Sequence, residues 1–213
     1  MIRTFEAHSP DQGVDLPTVV ANREIREINL EKDIRKRLAD NNIIRILQSA
    51  ESILTRHDLE IDYPETQAYR RDKTRLNCHR HESIFDKHKI IPKFCFGCFK
   101  VQVEPRTVVE LIKLFLLFDW INLGANNTRK CMVELRNEVP GFYKGLVYCT
   151  SLEEANLIHD TLSTHVSELI DTDVTCSIKR GCSEFARAIP EFGHIDQSGT
   201  VGLMDYIPDW EAI

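Results

Sequence analysis

The feature that most constrains the fold is the spacing of apolar residues between positions 99 and 179. This spacing switches several times between the period of a strand and the period of a helix. Four segments alternate apolar and polar residues, as half-buried strands do, and two longer segments repeat at helical spacing. Their order is strand, helix, strand, strand, helix, strand, over residues 99–104, 106–122, 130–136, 142–149, 152–169 and 174–179. Two such split β-α-β units predict an α+β, ferredoxin-like sandwich, with an antiparallel sheet and both helices on one face.

The flanking sequence predicts three further regions. Residues 1–57 comprise an irregular arm and a helical hairpin, with helices from about 23 to 39 and from 43 to 57. Residues 58–98 form a basic insert that contains cysteine and histidine, and residues 58–93 within it are polar and aperiodic. The ferredoxin-like domain covers residues 99–182. Residues 183–213 form an irregular tail that docks on its own domain or on a partner.

Composition and targeting signals narrow the class of protein. A chain of 213 residues with 42% hydrophobic content can build a core without disulfides. Seven cysteines, and an N-terminus without a basic region followed by an apolar run, predict reduced thiols in a cytoplasmic protein. The apolar stretch 108–123 carries three charged residues, so it predicts a buried helix, not a membrane span. Its apolar part, 108–121, also suits an oligomer contact.

The most specific motif has the form C-x2-H-x13-C-x2-C. Cys78 and His81 make the first pair, and Cys95 and Cys98 make the second. Two such knuckles can turn three sulfurs and one nitrogen toward a single tetrahedral zinc ion. A closed set of four ligands predicts a structural role for the metal. His79 and His88 are alternative nitrogen ligands.

Two other interpretations of the second pair stay open. Cys95 and Cys98 can be buried thiols beside neighbouring phenylalanines, because free cysteine is among the most buried residue types. Strict strand alternation would place them on opposite faces, which disfavours a shared metal unless a knuckle interrupts the strand. They can also form a redox pair, although such pairs normally begin a helix.

The remaining cysteines divide into core thiols and one candidate nucleophile. Cys131, Cys149 and Cys176 fall on the apolar side of their strands, which predicts packing under the helices. Cys182 follows Lys179, Arg180 and Gly181, and two neighbouring cations could lower the pKa of its thiol. A turn with an incidental thiol is the alternative, since no catalytic triad is visible near it.

Two cationic surfaces are candidate binding sites. The first is the sheet face away from the helices, which predicts either a ligand surface or a solvated face with ion pairs such as Glu134 with Lys144. Its candidate binding residues are Lys100, Arg136, Lys144, Tyr148 and Lys179. The second is the insert, where cations outnumber acids and include Arg70, Arg71 and Arg80.

These features predict a non-catalytic accessory or binding protein. Zinc would order the insert, and the insert and the sheet face would meet a protein partner. One alternative is an enzyme that uses Cys182 on an anionic substrate. The other is a nucleic-acid-binding module that uses residues 70–93, although the formal charge of −6 argues against non-specific coating of nucleic acid.

Overall fold

The structure, a computed structural model, describes residues 17, 20, 21, 23 and 24 and the ranges 39–59, 66–70, 78–195 and 202–213. The chain divides into two compact units. One comprises Met1–Arg35 and Ala39–Pro64, and the other comprises Lys36–Leu38 and Glu65–Ile213. All candidate site residues belong to the second unit.

The first unit contains helix α1 (Asp40–Arg56), which buries Ile43 and Ile53. Near the end of α1, the Glu24 carboxylate lies 3.4 Å from an Arg56 Nη2 and 3.4 Å from His57 Nε2. The predicted helix from 43 to 57 is confirmed, with a slightly earlier start. The predicted helix from 23 to 39 lies mostly outside the described residues.

A five-stranded antiparallel sheet forms the centre of the second unit, so the chain is an α+β protein. The strands are β1 (Gln67–Arg70), β2 (Phe99–Glu104), β3 (Arg129–Val133), β4 (Tyr143–Cys149) and β5 (Thr175–Arg180), in the order β1-β3-β4-β2-β5. The four predicted strands are present and pair antiparallel. Strand β3 ends before Arg136 because the chain turns there, with the Val139 N–H bonded to the Arg136 carbonyl.

The segment 58–98 is more regular than predicted. Its described residues contribute β1, helix α2 (Cys78–His88) and a 3-10 turn (Lys93–Gly97). The sequence did not predict these elements because neither β1 nor α2 has the apolar periodicity that marks an element in a sequence. Strand β1 is held by backbone pairing with β3, and α2 fully buries only Phe85. Both elements therefore depend on tertiary contacts.

Helices α3 (Val108–Trp120) and α4 (Leu152–Leu169) pack on one face of the sheet. The Thr107 hydroxyl caps α3 by accepting the Glu110 N–H, so the helix starts later than predicted. Ser151 caps α4 in the same way, as its capping box predicts. We call the apolar cluster beneath both helices the helix-covered core; it includes Phe99, Val101, Val103, Leu114, Leu117, Phe118, Val147, Ala155, Ile158, Leu162 and Val166.

The predicted core thiols belong to this helix-covered core. Cys131 and Cys149 are buried in it, and Cys176 packs against it. Burial is the largest cause that raises the pKa of Cys131 and of Cys149 to about 12, so both remain neutral thiols. The prediction that these three cysteines lie on the helix side of the sheet is confirmed.

A second cluster, the aromatic core, is assembled from short segments. Helices α5 (Ser183–Ala188) and α6 (Pro190–Gly193) contribute to it, and the tail packs on it before a 3-10 turn (Pro208–Ala212). The buried residues are Phe85, Ile91, Cys95, Phe96, Phe185 and Phe192, with Met204, Tyr206 and Trp210 of the tail against them. Of the two predicted roles for the tail, docking on its own domain is confirmed.

One buried guanidinium joins the pieces of the aromatic core. Arg180, at the end of β5, donates from Nε and Nη2 to the Phe96 carbonyl at 3.1 and 2.9 Å. Its Nη1 donates to the Met204 carbonyl at 2.9 Å. The guanidinium carbon also lies 5.1 Å from the Phe96 ring centre and 5.0 Å from that of Phe192. Arg180 therefore ties the 3-10 turn before β2 to the tail.

No helix in the described part of the chain is both long and apolar enough to cross a membrane.

Candidate metal centre

The four predicted zinc ligands line one pocket, and a fifth ligand-type residue joins them. The pocket wall comprises Cys78, His81, Phe94, Cys95, Cys98, Gly181 and Cys182. We call the four cysteines and His81 the Cys/His cluster. Three separate segments supply it: the start of α2, the 3-10 turn with the residue after it, and the end of β5.

Helix geometry explains the first ligand pair. Cys78 and His81 are three residues apart in α2, so their side chains share one face. His81 Nδ1 lies 3.4 Å from the Cys95 Sγ. His79 and His88 are exposed, and neither of these alternative ligands lines the pocket. The structure therefore favours His81 as the histidine of the cluster.

The second pair avoids the strand alternation that would separate its members. Cys95 lies in the 3-10 turn, and Cys98 follows that turn before β2 begins. The Cys98 N–H donates to the Cys95 carbonyl at 3.2 Å, which closes the turn. Cys95 and Cys98 can therefore face the same pocket, as a metal knuckle requires.

Backbone pairing places Cys182 in the pocket. Strands β2 and β5 pair with Phe99 opposite Arg180, so the residues just beyond them also lie side by side. The Gly181 N–H donates to the Cys98 carbonyl at 2.8 Å, and Gly181 has a φ of 57°, a conformation that favours glycine. Sequence reasoning did not include Cys182 among the ligands. The antiparallel pairing expected of the first and last predicted strands was the signal that could have found it.

The thiols differ in acidity. A hydrogen bond between Cys78 and Cys182 lowers the pKa of Cys78. The same hydrogen bond is the largest cause that raises the pKa of Cys182 far above its ordinary value, and burial is the second. Burial raises the pKa of Cys95 to about 12 and that of Cys98 to about 11. A divalent cation would reverse this preference for neutral thiols, because bound thiols ionise.

The alternative in which Cys182 acts as a nucleophile stays a prediction, and the pKa of its thiol does not favour it. Its pKa is raised, whereas a reactive thiol needs a lowered one. The Arg180 guanidinium, which was expected to lower that pKa, is committed to the Phe96 and Met204 carbonyls instead.

The donor set suits zinc, but the ligand atoms are not closely gathered. Sulfur and imidazole nitrogen are the preferred zinc ligands. Within the described ranges, the only three ligand-type residues whose donor atoms all lie within 4.8 Å of one another are Glu82, Cys182 and Glu184. Bonds of about 2.0–2.3 Å would place tetrahedral ligand atoms roughly 3.3–3.8 Å apart, so the Cys/His cluster would have to contract around an ion.

The centre of the sheet face away from the helices is buried, so the prediction of a solvated face is wrong there. Lys100, Gln102 and Lys144 are all at least nine-tenths buried. The predicted pairing of Lys144 with Glu134 is confirmed, with Nζ 3.3 Å from Oε2. Burial is possible because Met132 and Leu146 share this face and most of its cations have carboxylate partners.

Most of the predicted binding cations are therefore already neutralised. Arg136 contacts Glu134 at 2.8 Å and also pairs with Glu184. Hydrogen bonding from Arg136 is the first cause that lowers the pKa of Glu134, to about 2. Lys179 lies 3.8 Å from a Glu104 oxygen.

Lys100 differs from these paired cations. In the described parts of the chain its ammonium has no hydrogen-bonding acceptor, and it opposes the rise in the pKa of Cys98 and of Cys182. Tyr148 lies directly opposite Lys100 on β4, and burial is the largest cause that raises its pKa.

The predicted cations of the insert differ in their surroundings. Arg70 lies 3.5 Å from an Asp119 oxygen, Arg80 is exposed on α2, and Arg71 lies outside the described residues.

No protein-family model matches the chain, and no curated protein or solved structure is significantly similar to it.

Proposed function

We propose that this chain is a non-catalytic binding protein in which Cys78, His81, Cys95 and Cys98 hold a structural zinc ion. One observation carries the proposal: two ligand pairs recognised from spacing alone line the same pocket, with His81 Nδ1 3.4 Å from the Cys95 Sγ. That separation lies within the range of roughly 3.3–3.8 Å that two ligands of one tetrahedral zinc ion require.

The metal would connect elements that bury little apolar surface themselves. An ion in the pocket would join α2 to the 3-10 turn before β2. Because such sites are rarely formed in the unfolded chain, the binding free energy stabilises the folded state. Four protein ligands leave no position for a reactive water, which supports a structural role.

We further propose that the sheet and its two helices form a ferredoxin-like sandwich. Within the observed order, β5-β2-β4-β3 corresponds to the strand arrangement that two split β-α-β units produce. Strand β1 extends this sheet by pairing with β3. Helix α2 follows β1 along the chain. In this proposal the sandwich is a scaffold, and it implies no activity.

The proposed partner surface is the exposed side of α2. Arg80, Ser83 and Lys87 are exposed and recur at helical spacing, so they form one stripe. Neither cation contacts a carboxylate in the described structure. An acidic protein surface is the partner that such a stripe suits.

Charge reversal tests this surface. Arg80→Glu with Lys87→Glu should abolish capture of the protein partner, whereas Arg45→Glu with Arg56→Glu, on the exposed side of α1, should leave capture unchanged. Capture by the α2 variant at the wild-type level would remove the stripe from consideration. Loss of a salt-dependent interaction with nucleic acid in the same variant would support the nucleic-acid alternative instead.

Elemental analysis tests the metal. Purified protein should carry about one zinc per chain, and Cys95→Ser should lose it, whereas the core variant Cys176→Ser should keep it. Removal of zinc by a chelator should make residues 70–93 protease-sensitive while the helix-covered core stays resistant. Metal-free wild-type protein, or equal zinc in Cys95→Ser, would contradict the proposal.

A further inference from the structure

We propose that Cys182 is the fourth ligand of this zinc centre, so that four thiolates hold the ion and His81 lies outside the ligand shell. This inference rests on the proposed structural zinc centre and replaces one of its four ligands, His81, with Cys182. Cys182 enters the pocket from the connection between β5 and α5, about a hundred residues after the first ligand pair.

All four thiols line the pocket and interact with one another, and Cys182 is part of that set. Cys182 shares a hydrogen bond with Cys78, and it acts electrostatically on Cys95 and on Cys98. Among the thiols of the described structure, His81 contacts only Cys95. The pocket wall thus offers four thiols as candidate ligands even without His81.

The sheet holds the backbone next to Cys182 in place. The hydrogen bond from Gly181 to Cys98 fixes the backbone on both sides of the two thiols, in continuation of the β2–β5 ladder. A methyl group on Gly181 would lie 2.4 Å from a Phe192 ring carbon, so this backbone is also pressed against the aromatic core. Sites supported by regular elements are held more precisely than sites on loops, and the paired strand ends give Cys182 such support.

The surrounding charge favours four thiolates. Zinc with four thiolates is more negative than zinc with three thiolates and a neutral imidazole, so it gains more from nearby cations. The Lys100 ammonium lies near Cys98 and Cys182, and the Lys130 ammonium interacts with Cys78. Lys100 is 9% exposed and has no carboxylate partner in the described part of the chain. The two lysines thus supply positive charge on the sheet side of the pocket.

His81 then has a supporting role. Its ring packs beside Phe94, with centres 5.4 Å apart, and its Nδ1 faces the Cys95 sulfur. An N–H on that nitrogen would donate to the metal-bound thiolate and hold it in position. Groups that support ligands in this way typically change metal affinity by about 10- to 100-fold.

The carboxylates near Cys182 are a weaker alternative. Glu82 and Glu184 approach Cys182 closely, but Glu184 is already paired with Arg136. Two oxygens and one sulfur would also be a poorer zinc set than four sulfurs when both are available. Cys182 is common to both sets, so the identity of its co-ligands decides between them.

X-ray absorption of the zinc-loaded full chain counts the ligands directly, without any substitution. We expect only sulfur neighbours, at about 2.3 Å. A shell of three sulfurs and one imidazole nitrogen near 2.0–2.1 Å would overturn this inference while the proposed zinc function stands. Oxygen neighbours would overturn it in favour of Glu82 and Glu184. Failure of the wild-type protein to bind zinc would overturn the proposed function itself.

Two variants provide the reciprocal measurement. Cys182→Ser should weaken zinc affinity by more than about 100-fold, whereas His81→Ala should weaken it by no more than about 100-fold. Retention of wild-type affinity by Cys182→Ser, with loss in His81→Ala, would overturn the inference. Far-ultraviolet circular dichroism of both variants identifies a folding defect, and in that case the ligand count of the wild-type protein decides the matter.

Discussion

The helix-covered core and the aromatic core stabilise the second unit in different ways. The first is built from regular elements, where strands of alternating period meet two capped helices over a continuous apolar layer. The second is built from a turn, two short helices and the tail, which Arg180 holds together through two carbonyls. One region is stabilised by many similar contacts, and the other by a few specific ones.

This difference indicates which part of the protein can form independently. Apolar burial in the helix-covered core depends on no single residue type at any one position. The aromatic core and the Cys/His cluster depend on particular donors, acceptors and ligands, because α2 and the 3-10 turn bury little. We therefore expect substitutions in the two regions to affect different observables.

The largest effect is expected in the helix-covered core. Leu162→Ala leaves a cavity beneath α4, where Leu162 has no exposed surface, and should lower the free energy of unfolding by about 4 kcal/mol. Leu157→Ala on the exposed side of the same helix should change it by less than ~0.5 kcal/mol. Chemical denaturation followed by circular dichroism measures both. Equal effects of the two substitutions would contradict the packing described for α4.

A smaller and more local effect is expected from Arg180→Met. The change leaves the Phe96 and Met204 carbonyls without their donor and should cost about 3 kcal/mol, chiefly in the aromatic core. Hydrogen exchange should rise in residues 93–98 and 202–213 while α4 stays protected. Arg187→Met, an exposed control, should leave both regions protected. Uniform loss of protection in Arg180→Met would show that the two cores unfold as one.

The smallest effect concerns the polar sheet face and its pH dependence. Arg136, the largest cause, lowers the pKa of Glu134 to about 2 from the ordinary value of 4.5. A lowered folded-state pKa contributes stability above about pH 4.5, and this contribution is lost as the pH falls toward 2. Glu134→Gln should flatten that loss, by about 1 kcal/mol, since desolvation offsets part of the pairing.

Thermal unfolding between pH 2 and 5 measures this effect, with Glu138→Gln, an exposed residue, as the control. A pH profile of Glu134→Gln identical to that of the wild type would exclude Glu134 as its source.

Sequence periodicity predicted the regular half of this molecule. The four core strands, α3 and α4 have apolar residues at the spacing that burial on one face requires, and Ser151 marks the start of α4. A separate argument, from the local spacing of metal knuckles, predicted that Cys78, His81, Cys95 and Cys98 come together, and all four line one pocket.

The rest could not be read from local patterns. Strand β1 and helix α2 have no apolar period of their own, so only tertiary contacts define them. Cys182 reaches the pocket through the pairing of β5 with β2, which is a long-range property. Lys100 and Lys144 are buried although lysine is usually exposed. Neighbouring strands supply the apolar residues beside them and the Glu134 carboxylate that pairs with Lys144.

The hydrogen bond between Gly181 and Cys98 has a consequence for transplanting this centre. A fragment limited to residues 78–98 would carry both knuckles but would lack the strand neighbour that delivers Cys182. Grafting the pocket onto another scaffold would therefore require a pair of antiparallel strand ends in the same register, with glycine at the point of closest approach. If Cys182 is the fourth ligand, as proposed, the portable unit is the sheet edge together with the knuckles, and the motif alone is insufficient.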